Sequence, residues 1–254
     1  SDFYRQAIYT VSVDGLVEKV LDVPNQPSGL GWLPDGRLLI VSMTERKLLV
    51  FDGSTLSELA DLSSLASYHC NDMVTDALGR SYVGNFGFNL HAGETFKKAE
   101  MILVEPDGNS RIVAEELAFP NGAVITPDRK TLIVGESMAA RLTAFDIEPD
   151  GSLTHQRLWA KLDGAVPDGI CLDAAGGIWV ASPSSNETLR VEEGGKVTDR
   201  VAVNNGAFAC MLGGENGTTL HILTSKTSDP EACARQKSAA VEIIEVTHAG
   251  AGWP

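Results

Sequence analysis

The chain has 254 residues, and its 34 acidic and 20 basic side chains give a formal net charge of −14 at pH 7. Such a charge disfavours nucleic acid and anionic membrane surfaces, which need Lys and Arg to neutralise their phosphates, but it is compatible with binding a cation. No apolar run approaches membrane-spanning length, and no charged-then-apolar signal segment opens the sequence.

Most apolar residues occur in runs of four to seven bounded by Gly, Pro and Asp, which predicts many short β-strands. Helical periodicity is rare, and only Ser57–Ser67 is expected to form a turn or two of helix. Six of the predicted strands lead into Asp-Gly or other Gly-containing turn segments, most of which are typical of tight hairpins. These strands are Ala7–Val13, Lys47–Phe51, Met101–Glu105, Arg141–Ile147, Thr188–Val191 and Ala240–Val246.

Five segments repeat one pattern: a polar or small lead residue, an apolar run, a turn eight positions after the lead residue, and a second apolar run. The lead residues, 41 to 50 positions apart, are Ser28, Asn71, Asn121, Asp168 and Ala209. With the strand that follows each repeat and its hairpin, the pattern gives four strands per unit. Four strands at this period are the signature of a β-propeller, in which equivalent positions lie around a central channel.

The number of predicted blades depends on which strand is counted. Six third strands but only five inner-strand motifs are present, so the sequence predicts one all-β domain over residues 1–254. This domain would be a six-bladed β-propeller with an incomplete first blade that lacks its inner strand. A five-bladed propeller, with residues 1–27 as an extra hairpin, is the alternative.

Propeller connectivity places the inner-strand starts on the same face as the long connections Asn85–Glu100 and Ser225–Ala239, where a binding site is expected. Asn121 and Asp168, from consecutive repeats, offer an amide oxygen and a carboxylate. These are hard ligands suited to Ca²⁺, Mg²⁺ or Mn²⁺. For one isolated Asn-Gly or Asp-Gly the alternative is ordinary turn chemistry. Asn71 is a third Asx residue at the equivalent position, and three such residues favour a shared site.

Three further residues are candidates for contact with a substrate. His69 precedes Asn71 by two positions, Phe86 lies in the long connection as part of a lid, and Glu136 returns to the same face. The alternatives are a packed loop histidine for His69 and an ion pair with Arg141 for Glu136. No zinc-binding His pattern, P-loop, nucleophile elbow or dinucleotide fingerprint is present.

The segments Pro120-Asn121-Gly122, Pro167-Asp168-Gly169 and His69-Cys70-Asn71-Asp72 resemble the senescence-marker-protein, gluconolactonase and luciferin-regenerating-enzyme family. The resemblance implies a six-bladed propeller that binds one divalent cation, Ca²⁺ or Zn²⁺, and hydrolyses sugar lactones. Carried over by position, it implies Asn121 and Asp168 as metal ligands, Asp168 also as the catalytic acid/base, and Asn71 as a substrate-side residue.

The sequence departs from the family pattern at two points. His69 stands where the family often has Arg, which bears on sugar specificity. The Glu ligand of the first inner strand has no counterpart, so the chain supplies two of three expected protein ligands and is predicted to be impaired as an enzyme. A hydrolase of phosphotriesters and a non-catalytic propeller that binds a small molecule or a protein are the alternative functions.

The remaining expectations concern location and assembly. The four cysteines form no CxxC pair, and three lie in or beside inner-strand patterns, where a thiol is usually a small buried hydrophobe. This favours a reducing compartment, so a cytoplasmic protein is predicted. A small-molecule substrate is the expected partner, and the expected assembly is a monomer, with pairing at an exposed blade edge as the alternative.

Overall fold

The computed structural model describes residues 1–252, which fold into β-sheets with a single α-helix. The chain divides into two compact units, Ser1–Leu117 and Ala118–Pro254, which are described separately. Within the described residues, no helix has both the length and the apolar character that crossing a membrane requires.

The first unit contains a two-stranded sheet and two four-stranded sheets, all antiparallel and paired in chain order. Their strands are β1 (Ala7–Val11), β2 (Val17–Asp22), β3 (Pro27–Trp32), β4 (Leu38–Ser42), β5 (Lys47–Phe51), β6 (Leu56–Asp61), β7 (Cys70–Thr75), β8 (Ser81–Asn85), β9 (Ala99–Val104) and β10 (Ser110–Leu117). A core of aliphatic side chains lies between the β3–β6 and β7–β10 sheets, with Leu39 and Leu48 on one side and Val83 and Ile102 on the other. All four are fully buried.

The second unit contains two four-stranded sheets and one three-stranded sheet, again antiparallel and in chain order. Their strands are β11 (Pro120–Ile125), β12 (Thr131–Glu136), β13 (Arg141–Ile147), β14 (Leu153–Lys161), β15 (Ile170–Leu172), β16 (Ile178–Ser182), β17 (Glu187–Val191), β18 (Val197–Ala202), β19 (Gly206–Gly213), β20 (Thr219–Ser225) and β21 (Ala240–Glu245). A 3-10 turn (Ser137–Ala139) follows β12, and helix α1 (Pro230–Gln236) lies between β20 and β21.

Two turns after inner strands are closed by buried ion pairs. Asp76 accepts hydrogen bonds from the backbone of Leu78 and Arg80 and from Arg80 Nε at 2.7 Å. In the second unit, Asp173 caps its turn in the same way and accepts from Arg190 Nε at 2.6 Å. Because these charges are buried, the stability of each one depends on its oppositely charged partner. The pairs also fix the conformation of the turn that leads from the inner strand into the second strand.

All six strands predicted as third strands are present within two residues of their predicted ends, as β1, β5, β9, β13, β17 and β21. Five of them are the third strand of their sheet, whereas β1 belongs to a two-stranded sheet. The predicted helix at Ser57–Ser67 is wrong, because Leu56–Asp61 forms β6 and pairs with β5. Conversely, α1 was not predicted. Its N-cap is Asp229, whose side chain accepts from Ala232 N at 2.8 Å, and Pro230 is the first residue of the helix.

The blade count needs correction. The described residues form five blades of three or four strands, not six, and the expected incomplete first blade is only the two-stranded β1–β2 sheet. The Asp14-Gly15 turn correctly indicated two strands in this segment. These two strands do not make a blade, because β2 is largely exposed and no further strand pairs with it in the sheet. The alternative of five blades plus an N-terminal hairpin describes these sheets.

Candidate functional site

In the second unit a close backbone contact holds Asn121, on inner strand β11, beside Asp168, which lies two residues before inner strand β15. Gly122 N donates to Asp168 O at 3.2 Å. A Cβ on Gly122 would lie 2.7 Å from Asp168 O and 2.5 Å from Ile170 N, so only glycine lets the strands approach this closely. The Asn-Gly pair therefore sets the position of the next lead residue.

The same contact exists in the first unit between Ser28 and Asn71. A Cβ on Gly29 would lie 3.0 Å from Asn71 O and 2.7 Å from Met73 N, the two atoms equivalent to those beside Gly122. Within each unit, neighbouring lead residues thus occupy equivalent positions, as the repeat pattern predicts.

The lead residue of the fifth repeat needs correction from Ala209 to Phe208. Gly169 N donates to Phe208 O at 2.9 Å, and a Cβ on Gly169 would lie 2.8 Å from Ala209 Cα. Phe208 thus has the place that Asp168 has beside Gly122. Counting eight positions back from the turn gives Ala209, one residue too late, because this repeat has one more residue between the lead position and Gly217 than the other repeats have. An aromatic ring at this position supplies no oxygen for a cation.

Asn121 is buried, and its amide is oriented by the turn after the second strand. Its Nδ2 donates to Ser137 Oγ at 3.2 Å, and this hydroxyl donates to Pro167 O at 2.6 Å. With the nitrogen used in this way, Oδ1 is the amide atom that remains as an acceptor. Ser137 was not identified from the sequence, where it is an unremarkable serine one residue after β12.

Asp168 lies half-buried at the entrance to β15. Its backbone is fixed on two sides, since its N donates to Ala181 O at 3.0 Å and its O accepts from Gly122. The backbone of the catalytic candidate is therefore held by β11 on one side and by β16 on the other.

Glu136 is fully buried at the end of β12, and both of its carboxylate oxygens accept hydrogen bonds within the unit. Oε1 accepts from Arg141 Nε at 2.8 Å and from the Thr143 hydroxyl, and Oε2 accepts from Ala118 N at 2.7 Å. These contacts include the ion pair with Arg141 that the sequence offered as the alternative to a contact between Glu136 and the substrate. The role of Glu136 in binding substrate stays a prediction.

His69 and Phe86 lie together in the first unit, where β7 begins and β8 ends. His69 O accepts from Phe86 N at 2.9 Å, the two rings are 6.2 Å apart, and His69 stacks on Tyr68 at 4.1 Å. Partial burial, with the positive charge of Arg46 nearby, holds the pKa of His69 below its ordinary value. The imidazole is therefore neutral at pH 7, on a surface made mainly of aromatic rings.

Asn71 and Asp72 follow this aromatic surface. Asn71 is buried and accepts the Ser28 hydroxyl on its backbone oxygen at 2.8 Å. Burial raises the pKa of Asp72 to about 6, partly offset by the chain's terminal amine. The sequence motif His69-Cys70-Asn71-Asp72 identified Asn71 as a candidate, whereas it included Asp72 without assigning it a role.

The oxygen donors at the lead positions of the second unit suit a hard divalent cation. The structure contains no cluster of three or more His, Cys, Asp or Glu arranged for a metal, within residues 1–252. A cation would instead rely on the fixed amide oxygen of Asn121 and the carboxylate of Asp168. Both are of the type that Ca²⁺ and Mg²⁺ prefer. Their chemistry fits such an ion, and water would supply its other ligands.

Comparison with known families gives a match to the region described as SMP-30/gluconolactonase/LRE-like over residues 1–226. The chain belongs to this family. The resemblance found in its Asn-Gly and Asp-Gly motifs is confirmed, and with it the propeller class of fold.

Individual relatives are distant. The chain is 25% identical to regucalcin of Danio rerio, with 85% of this chain and 72% of the relative covered. It is 24% identical to 6-deoxy-6-sulfogluconolactonase of Pseudomonas putida, with 84% and 73% covered. A solved structure of regucalcin from Agrobacterium tumefaciens, described as a calcium-binding protein, superposes with a TM-score of 0.81 at 18% identity. That superposition covers 99% of this chain and 86% of the other.

Proposed function

We propose that this protein is a divalent-metal-dependent hydrolase of a lactone or related small ester, with the metal held by Asn121 and Asp168. The observation that carries the proposal is the backbone contact from Gly122 to Asp168, which brings the start of β15 beside Asn121 on β11, with the Asn121 amide oriented by Ser137. The family match, and a relative named as a sulfogluconolactonase, support the choice of a lactone. A relative named as calcium-binding supports Ca²⁺ over Zn²⁺, Mg²⁺ or Mn²⁺.

In this proposal the residues of the chain have separate tasks. A bound cation would supply a Lewis acid for the carbonyl oxygen. The Asp168 carboxylate accepts a proton from the attacking water and returns it to the alkoxide that leaves as the ring opens. Asn121 holds its oxygen in one place because Ser137 prevents the amide from turning. Asn71, His69, Phe86 and Glu136 are the proposed substrate-binding residues.

The test is hydrolysis of a lactone panel together with metal analysis of the purified protein. The panel contains an aldonolactone, γ-butyrolactone, δ-valerolactone and one phosphotriester. We expect lactone hydrolysis that a chelator abolishes and that added Ca²⁺ restores. Hydrolysis that persists after complete removal of metal would refute metal dependence. Turnover of the phosphotriester alone would favour the rival hydrolase, and stoichiometric Ca²⁺ binding without any turnover would favour the binding protein.

We also propose that the protein is a cytoplasmic monomer whose partner is a small molecule. The last sheet ends at β21, the outer strand of three where the four other blades have four. Its outer edge is where a second strand would pair if the protein associates. Light scattering over a range of concentrations tests this assembly state, and a concentration-dependent dimer would contradict the monomer.

A further inference from the structure

Two of the four cysteines come close together in the second unit although 39 residues separate them. Cys171 on β15 and Cys210 on β19 have their sulfur atoms 3.9 Å apart. Both residues are buried, at 3% and 4% exposure. They belong to the inner strands of neighbouring blades, so a bond between them would join two blades directly.

The short distance follows from the same backbone contact that positions the lead residues. Gly169 lacks a side chain, which allows its backbone to approach Ala209 and Phe208. Cys210 follows Ala209 immediately, and its sulfur lies 3.6 Å from Gly169 O and 3.4 Å from Trp179 O. The two thiols are therefore held near each other by the fold rather than by flexible segments.

We propose that Cys171 and Cys210 are a modification site: a dithiol that a small hydroperoxide converts into a disulfide between the two inner strands. A disulfide has its sulfur atoms about 2.05 Å apart, so the thiols must approach by roughly 1.9 Å. Changes in side-chain torsion supply part of this movement, and a small shift of β15 towards β19 supplies the rest.

The chemistry needs one oxidant and balances without a cofactor. One cysteine, as thiolate, attacks the peroxide oxygen and becomes a sulfenic acid, while hydroxide leaves and takes up the proton of the thiol. The second sulfur attacks the sulfenic sulfur, the S–S bond forms, and water leaves. Two thiols thus lose two electrons and two protons, and hydrogen peroxide is reduced to two water molecules.

Burial sets the rate of this reaction. Burial in apolar surroundings, with Cys171 beside it, raises the pKa of Cys210 well above its ordinary value, which disfavours the reactive thiolate. The pair therefore stays reduced until the strands open transiently, and a small oxidant reaches it more readily than a bulky one. Cys233 lies in α1 and is only partly buried, so its oxidation shows how fast the oxidant reacts with a thiol that it reaches without any opening of the strands.

The test is peptide mapping of the whole, unmodified protein after graded treatment with hydrogen peroxide. Cleavage after Lys and Arg places Cys171 in peptide 162–190 and Cys210 in peptide 201–226. We expect these two peptides to become linked, with the loss of two hydrogen atoms. The melting temperature should rise by about 5 °C or more, because the cross-link restricts the unfolded chain.

Variants provide the matched controls. Cys171→Ala and Cys210→Ala should each abolish the linked peptide and the rise in melting temperature, whereas Cys70→Ala and Cys233→Ala should retain both. The proposal is overturned if both peptides remain unlinked after Cys233 is fully oxidised. It is also overturned if Cys210 proceeds to sulfinic acid without a cross-link, or if the linked peptides contain Cys70 or Cys233.

Discussion

Neighbouring inner strands meet in the same way in the two units, but the side chains at the meeting points differ. At Ser28 and Asn71 the serine hydroxyl donates to the neighbouring backbone oxygen at 2.8 Å, so the lead side chain joins two strands. Between Asn121 and Asp168 the backbone N–H of Gly122 makes that connection, and the Asn121 amide donates to Ser137 instead. The repeat fixes where the lead residue lies. The type of side chain at that place determines whether it joins two strands or is available as a candidate ligand.

The largest effect is expected from removing the charge of Asp168. Asp168→Asn should lower kcat for the lactone by about 10²–10⁴-fold with a nearly unchanged melting temperature, because the amide cannot accept the proton. Asn71→Ala, at the equivalent position of the first unit, should mainly raise KM. Asp163→Asn, an exposed neighbour, is the control. If Asp168→Asn keeps half of the kcat, Asp168 has no part in catalysis.

The next largest effect concerns stability, at the turn that follows each inner strand. Asp173→Asn should lower the free energy of unfolding by about 3–5 kcal/mol, because it leaves the buried Arg190 with only the more distant, partly exposed Glu192 as a counter-charge. Asp76→Asn should do the same in the first unit through Arg80. Asp35→Asn, where the pair with Arg37 is exposed, should leave stability unchanged. Urea unfolding of the three variants measures this, and equal losses would show that burial is not the cause.

A smaller effect is expected at the glycines of the meeting points. Gly122→Ala and Gly29→Ala should each cost about 1–3 kcal/mol of stability, because the added Cβ overlaps the neighbouring backbone. Only Gly122→Ala should also lower kcat/KM, since it displaces Asp168. Gly213→Ala, where a Cβ would meet only the His221 ring at 3.4 Å, is the control. Identical kinetic effects of Gly122→Ala and Gly29→Ala would remove the distinction between the units.

The smallest effect is expected at the serine hydroxyls. Ser137→Ala frees the Asn121 amide and should weaken Ca²⁺ binding about tenfold, as loss of an orienting partner does in other metal sites. Ser28→Ala should instead lower stability by about 1 kcal/mol and leave Ca²⁺ affinity unchanged. Titration calorimetry and thermal unfolding together separate the two. Unchanged Ca²⁺ affinity in Ser137→Ala would mean that Ser137 does not support a metal site.

Several features could be predicted from the sequence because they depend on local chemistry. Turn dipeptides such as Asp14-Gly15 and Asp150-Gly151 located the strands that precede them, since a glycine in a left-handed conformation favours a tight reversal. The repeat pattern identified the lead positions of four repeats, and the Asn-Gly and Asp-Gly motifs at two of them pointed to the family. The fifth lead residue was missed because one additional residue before Gly217 changes the spacing without changing the apolar pattern.

The sequence by itself determined the strands, their hairpins and the chemical types of the candidate ligands, because each follows from residues within a few positions of one another. Only the tertiary structure decided which polar groups are used internally, since Glu136 reaches Ala118 and Arg141, and Ser137 reaches Asn121, across different elements. It alone also brought Cys171 to Cys210. Contacts between neighbouring strands depend on backbone approach distances at glycine, and no periodicity in the sequence encodes those distances.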